Sequence, residues 1–252
     1  MKSPFFILLA LVAAACSSAG NEDAARPPAN TYTLVFLDKT QSVNPNDSFV
    51  NGKYSAALKN LVDNNIRGEG DELEVYFIHE NTAKARAMSV RSRTAREDTR
   101  GLSPTDLEAA SNLYTLSIQR ERQAVHSALL QKLMEENRSA SNAETDVRAA
   151  VQVMATALGN HPRVSAWFFS DMVESRRNGR DFHSRPPQNA DQARAWADED
   201  AAAYQDVSLA GADIRVVLPF APTSSSRVNN PNVTVYWKTF FEALGANSVR
   251  EE

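Results

Sequence analysis

This chain of 252 residues has a single cysteine, no excess of positive charge and no apolar run long enough to span a bilayer. With Cys16 alone, no intramolecular disulfide can form, so the fold must rest on its apolar core. The formal net charge is −4, whereas nucleic-acid-binding domains are usually basic, so we expect no nucleic-acid partner. Hydrophobic residues make up 42% of the chain, which is enough for the core of one ordinary domain.

The N-terminal segment has the pattern of an export signal. Its apolar run, residues 5–15, is too short to cross a membrane and ends in three alanines before Cys16. This resembles a bacterial lipoprotein signal, which implies a signal peptide over residues 1–15, lipidation of Cys16 and a location in the cell envelope. Ser17 then favours the outer membrane. The alternative is an ordinary signal peptide cleaved before Cys16, which would leave a free thiol.

One folded domain is expected over residues 31–252, after a polar, flexible spacer at residues 16–30 that contains Pro27-Pro28. Strands and helices alternate along it. This predicts an α/β fold with a mostly parallel sheet, one antiparallel edge strand and helices on both faces. Strands are predicted at residues 32–37, 72–79, 83–90 (the antiparallel one), 164–169 and 213–220, and helices at 53–64, 103–137, 146–158, 190–204 and 234–244, the last closing the chain.

The helix predicted at residues 103–137 is long for a domain of this size. Ser103 can cap it, Pro104 suits its first turn, and an apolar stripe follows. Two interpretations stay open: the helix packs across the sheet and partly overhangs it, or it projects as an arm that contacts a partner.

Hard oxygen donors follow two of the predicted strands. Asp38, Thr40 and Ser42 leave the first strand, Asp171 leaves the strand at 164–169, and Thr145 stands just ahead of a predicted helix. Because ligands of open α/β sheets bind at the carboxyl ends of the strands, we expect these five side chains to converge. Two carboxylates and three hydroxyls suit Mg²⁺, with Mn²⁺ or Ca²⁺ as alternatives.

The motif Asp-x-Thr-x-Ser, a later Thr and a later Asp resemble a von Willebrand factor type A domain over about residues 31–246. The resemblance implies a metal-ion-dependent adhesion site made of Asp38, Thr40, Ser42, Thr145 and Asp171. In that site the hydroxyls bind the cation directly and the carboxylates bind partly through water. One open position would take a carboxylate from a protein or peptide partner. The chain departs from the family in having Thr40 for the commoner Ser, Met172 for a frequent Gly, and the long helix as an insertion.

Two other functions remain open from the sequence. Asp38-Lys39-Thr40 also resembles the phosphorylated-aspartate loop of haloacid-dehalogenase-like phosphatases and P-type pumps, in which Asp38 would be the nucleophile. Against this, Gln41-Ser42 stands where those proteins need a second Asp or a Gly-Thr. The third possibility is a scaffolding or substrate-binding lipoprotein without a metal, in which Thr145 only caps a helix and Asp171 only forms a turn.

Overall fold

The computed structural model describes residues 30–136, 144–177 and 179–252. The predicted signal peptide, Cys16 and all of the spacer except Asn30 lie outside these residues, as does the predicted helix end at Asn137. The strands are β1 Tyr32–Asp38, β2 Glu72–Ile78, β3 Arg86–Arg91, β4 Val164–Phe169, β5 Ala212–Val217 and β6 Ser248–Glu251. The helices are α1 Ser48–Asn65, α2 Pro104–Met134, α3 Ala149–Leu158, α4 Ala190–Ala201 and α5 Pro231–Ala243.

The strands form one six-stranded sheet in the order β3-β2-β1-β4-β5-β6. All neighbours are parallel except β2 and β3, which are antiparallel. This confirms the predicted fold class, including the single antiparallel strand at an edge. The chain reverses its direction of travel across the sheet between β1 and β4, so the crevice at their carboxyl ends is where such sheets bind ligands.

Helices cover both faces of the sheet, and β1 is therefore buried along its whole length. On one face α3, α4 and α5 pack around an aromatic core that includes Phe168, Trp237 and Phe241. On the other face α1 and α2 pack around Leu58 and Leu129. The two cores hold the central strands rigidly, and the loops after β1 and β4 are thereby fixed relative to each other.

The long helix α2 lies against α1 instead of standing clear of the domain. Ser103 caps it, because its hydroxyl accepts a hydrogen bond from the backbone of Asp106 at 3.3 Å. Its buried side chains join the same core as α1: Ala110, Ile118, Val125, Leu129 and Leu133. The outer face carries Leu113 and Leu116, each more than half exposed. In the described part of the chain, no helix has the length and apolar character needed to cross a membrane.

The structure corrects the predicted elements at several places. β3 begins three residues later and β5 ends three residues earlier than predicted, and α5 begins three residues earlier. β6 follows α5, so the chain does not close with a helix; the strand was missed because Val249 is its only apolar residue. α1 begins at Ser48, because the carboxylate of Asp47 caps it through two backbone amides. α3 begins at Ala149 and not at residue 146, because the carboxylate of Asp146 accepts a hydrogen bond from the backbone of Ala149. Thr145 therefore does not open this helix.

Candidate functional site

The carboxylate of Asp38 is the centre of a hydrogen-bonded cluster at the carboxyl ends of β1 and β4. Its Oδ1 accepts from the backbone N of Thr40 at 2.9 Å and from the Thr40 hydroxyl at 2.6 Å. Its Oδ2 accepts from the hydroxyl of Ser170, directly after β4, at 2.5 Å. The two strands pair in register up to Leu37 and Phe169, and this pairing brings the two loops together.

Ser42 and Asp171 complete this cluster. The Ser42 hydroxyl lies 3.2 Å from the Thr40 hydroxyl, and its interaction with the Asp171 carboxylate lowers the pKa of Asp171 against the effect of burial. Asp171 accepts a hydrogen bond from the backbone N of Val173 at 2.9 Å. Four of the five predicted ligands, Asp38, Thr40, Ser42 and Asp171, thus lie in one cluster. Ser42 is exposed, so the group opens to solvent on its side.

The two carboxylates of this cluster are buried beside each other. Burial is the main reason that the pKa of Asp38 is raised to about 7, and the negative charge of Asp171 adds to the shift. Burial likewise raises the pKa of Asp171, against the opposing effects of its hydrogen bonds and of His183. Within the described ranges, no salt bridge reaches either carboxylate. The site therefore holds more negative charge than its surroundings compensate.

Lys39 follows Asp38 in the chain but does not form an ion pair with it. Its Nζ donates to the carbonyl oxygens of Lys132 and Leu133, in the last turn of α2, at 2.7 Å each. The ammonium also lies 4.8 Å from the centre of the Phe77 ring. Burial lowers the pKa of Lys39 to about 8. Lys39 thus ties the loop after β1 to the end of α2 and not to the carboxylate of Asp38.

Thr145 lies at the same edge of the sheet, between the loops that follow β2 and β4. Its backbone exchanges two hydrogen bonds with Ser175, at 2.9 and 3.0 Å. The neighbouring backbone N of Asp146 donates to the carbonyl of His79, just after β2. Thr145 is 5% exposed. The structure thus places Thr145 beside the site, while none of the described hydrogen bonds joins its hydroxyl to the other four residues.

A buried ion pair between Glu174 and Arg148 holds the Thr145 segment in place. The Glu174 carboxylate accepts from the Arg148 guanidinium at 2.9 Å and from the backbone N of Val147 at 2.8 Å. Burial raises the pKa of Glu174 to about 7, although Arg148 opposes the shift. This pair connects the loop after β4 to the start of α3, so it positions Thr145 relative to Asp171.

The backbone of Met172 is in the left-handed region, with φ of 59°. Glycine, which the resemblance predicts at this position, adopts this conformation freely, whereas another residue pays about 1–2 kcal/mol. Two hydrogen bonds offset this cost: Met172 N donates to the hydroxyl of Ser170 at 2.9 Å, and Trp237 donates to the Met172 carbonyl at 2.7 Å. Methionine therefore adopts the turn conformation after Asp171 with support from these two bonds.

The sequence did not reveal three residues that shape this site. Ser170 is not among the five predicted ligands, although its place between β4 and Asp171 is a usable signal. Glu174 and Lys39 gave no signal, because their partners lie 26 or more residues away in the chain.

The oxygen atoms of this cluster fit a hard divalent cation by chemical type. Among the described residues, no three His, Cys, Asp or Glu side chains come together as a metal site. The cluster has two carboxylates, and the hydroxyls of Thr40, Ser42 and Ser170 contribute its other side-chain oxygens.

Comparison with known proteins adds little to this description. No family model matches the chain, and no curated protein matches it. One solved structure with some similarity is that of proximal thread matrix protein 1 from the mussel byssus, with a TM-score of 0.32 and 10% sequence identity. The match covers 88% of this chain and 42% of the mussel protein, so the chain spans less than half of that protein's length.

Proposed function

We propose that this chain binds a protein or peptide at the bacterial cell envelope through a divalent cation held between β1 and β4. The observation that supports this most is the buried pair of carboxylates, Asp38 and Asp171, which are surrounded by hydroxyls and form no salt bridge in the described parts of the chain. Two like charges so placed repel each other and are poorly solvated. A bound dication would offset both costs.

The proposed ligands of the cation are Asp38, Thr40, Ser42, Thr145 and Asp171, with water completing the shell. Mg²⁺ is the first choice, and Mn²⁺ or Ca²⁺ would accept the same oxygens. The cation would supply a positive charge that attracts an Asp or Glu side chain of the partner. The order of these residues, after β1, before α3 and after β4, supports the resemblance to von Willebrand factor type A domains, which we retain as part of this proposal.

The proposal places the protein on a membrane through a lipid on Cys16, with the folded domain on a tether. The adhesion role requires no catalysis. The domain would present the exposed side of the cluster, at Ser42, to its partner. The long helix α2 is a second surface that a partner could contact, since its outer face carries the exposed Leu113 and Leu116.

Calorimetric titration of the full chain with Mg²⁺ and with Mn²⁺ tests this proposal. We expect saturable binding by the wild type, and its loss in Asp38→Asn and Asp171→Asn. Asp63→Asn is a matched control, because this exposed carboxylate on α1 lies outside the cluster and should leave binding unchanged.

Two results would favour the other functions. If the wild type binds neither cation, the cluster is a hydrogen-bonded structural element and the metal-free scaffold becomes the better explanation. If the wild type hydrolyses p-nitrophenyl phosphate and Asp38→Asn does not, the phosphohydrolase with Asp38 as nucleophile becomes the better explanation.

A further inference from the structure

An arginine-lined groove lies at the opposite end of the sheet from the candidate cation site. Its volume is about 480 Å³, within the range of small-molecule sites. Residues at the starts of β1, β4, β5 and β6 line it, together with the end of α1. Its charged lining residues are Arg67, Arg163, Arg215, Arg250 and Asp213.

The groove exists because the helices leave part of one sheet face open. α1 ends at Asn65, whose side chain donates to the hydroxyls of Thr33 and Ser165 on the sheet. Strand β5 lies past the end of α1. Its buried apolar residues face the aromatic core, and they alternate with the half-buried Asp213 and Arg215, which line the groove. Polar side chains thus line the face of β5 that none of the five described helices covers.

The arginines of this groove lie close enough in the sheet for their positive charges to repel each other. Arg215 and Arg250 are register partners on adjacent strands, and like charges directly opposite each other destabilise a sheet. Arg163 stands immediately before β4 and adds a third positive charge. Local conflicts of this kind are expected at functional sites, where a ligand resolves them.

The nearby carboxylates compensate only part of this charge. Glu252 pairs with the Arg215 guanidinium at 2.6 Å, and that guanidinium also lies 4.8 Å from the Trp167 ring, so Arg215 is held in place. Asp213 accepts a hydrogen bond from Ser248 at 2.8 Å. Over residues 30–136, 144–177 and 179–252, no salt bridge occupies the guanidinium of Arg163 or of Arg250.

We propose that this groove binds a phosphate-bearing anion through Arg163, Arg215 and Arg250. One guanidinium group can donate two parallel hydrogen bonds to two oxygens of the same phosphate. Several guanidinium groups around one groove therefore favour a phosphate over a lone carboxylate. The volume accommodates a phosphate ester with its attached group. The ligand is either the headgroup phosphate of an anionic phospholipid or a soluble phosphate ester. This inference does not depend on the cation site.

The position of the groove in the chain brings a membrane within reach. Asn30, the first described residue, lines the groove and follows the predicted spacer. If Cys16 is lipidated and the spacer behaves as the sequence predicts, it would span about 20 Å on average. The groove would then face the lipid surface, while the candidate cation site at the other end of the sheet would face away from it.

Binding of two probes to the full chain carrying Cys16→Ser, which cannot be lipidated, tests the proposal. The soluble probe is glycerol 3-phosphate, followed by calorimetry. The membrane probe is vesicles of phosphatidylglycerol mixed with phosphatidylcholine, compared by sedimentation with vesicles of phosphatidylcholine alone. The negative net charge of the chain opposes unspecific attraction to the anionic vesicles.

The decisive comparison is between two double variants with the same change of charge. Arg163→Gln with Arg250→Gln should weaken binding by at least about tenfold, because both lose charged hydrogen bonds to the phosphate. Arg93→Gln with Arg120→Gln changes two exposed arginines outside the groove and should bind as the parent does. Unfolding midpoints of both variants verify that the fold is retained.

The outcomes separate the two ligands and can also overturn the proposal. Arginine-dependent binding of the anionic vesicles identifies a lipid headgroup, and arginine-dependent binding of glycerol 3-phosphate alone identifies a soluble ester. If the parent binds neither probe, or if the two double variants lose binding equally, the groove is not a phosphate site.

Discussion

Asp38→Asn is expected to stabilise the metal-free protein near pH 8, although it alters the centre of the candidate site. The Asp38 carboxylate is 4% exposed and lies beside Asp171, so its ionised form suffers both desolvation and repulsion. Asparagine has nearly the same shape and can still accept the hydrogen bond from the backbone N of Thr40. The substitution therefore removes a charge and preserves the packing.

The size of the effect follows from the pKa of Asp38, which rises from 3.8 to about 7 in the folded protein. One pKa unit corresponds to about 1.4 kcal/mol, so ionised Asp38 lowers the free energy of unfolding by up to about 4 kcal/mol. The folded state binds the Asp38 proton more tightly than the unfolded chain does. The stability contributed by protonated Asp38 is therefore fully present below pH 3.8, and it is lost as the pH rises through about 7. We expect Asp38→Asn to recover about 2–4 kcal/mol near pH 8.

Urea unfolding in a chelating buffer, at about pH 5 and about pH 8, measures this recovery. The wild type should lose stability between the two pH values and regain it with Mg²⁺, which competes with the proton. Asp38→Asn should show a weaker dependence on pH and no response to Mg²⁺, while Asp63→Asn should behave as the wild type. A loss of stability in Asp38→Asn near pH 8, without metal, would refute the reasoning.

Three further substitutions test the elements around the site. Leu129→Ala should lower the free energy of unfolding by about 2–5 kcal/mol, because this α2 side chain is fully buried, whereas Leu116→Ala, at 51% exposure, should change it by less than about 0.5 kcal/mol. Arg148→Met should cost about 3–5 kcal/mol in urea unfolding at about pH 8, because the buried Glu174 would lose its guanidinium partner and must either stay charged or take up a proton. Lys39→Met should accelerate amide hydrogen exchange at the end of α2, since the ammonium donates to two carbonyls there.

Each of these predictions has a result that would contradict it. Equal losses from the two leucine variants would mean that α2 does not pack as described. The double variant Arg148→Met with Glu174→Gln should recover part of the loss, and no recovery would argue against the ion pair as its cause. Unchanged exchange in Lys39→Met would show that the loop after β1 does not hold α2.

The fold and four of the site residues could be predicted because the relevant signals are local. β1 and β4 are continuous apolar runs, which mark strands buried on both faces. The parallel arrangement then places Asp38 and Asp171, each just beyond such a run, at one edge of the sheet. Their proximity depends on β1 and β4 being neighbours, which the alternation of elements suggests but does not determine.

The remaining features depend on contacts between distant parts of the chain, which a local sequence pattern does not predict. β6 is held mainly by backbone pairing with β5 and needs few apolar side chains of its own. The segment just before α3 is held by the Glu174 carboxylate, which accepts a hydrogen bond from the backbone N–H of Val147 across the site. The open face of β5 and β6, and with it the arginine groove, becomes visible only when the limits of α1 are known.

The two candidate sites should act independently, although each leaves like charges uncompensated at one end of the same sheet. The sites lie at opposite ends of strands of six to seven residues, hence about 20 Å apart, which exceeds a Debye length of about 8–10 Å at ordinary ionic strength. The described residues of the core between the two sites have a single conformation. They therefore provide no second state through which binding at one site could change the affinity of the other. Arg163→Gln with Arg250→Gln should therefore leave the Mg²⁺ affinity of the full chain unchanged within about twofold, as additivity of distant sites requires. A larger shift in calorimetric titration would mean that the sheet transmits a change from the arginine groove to Asp38.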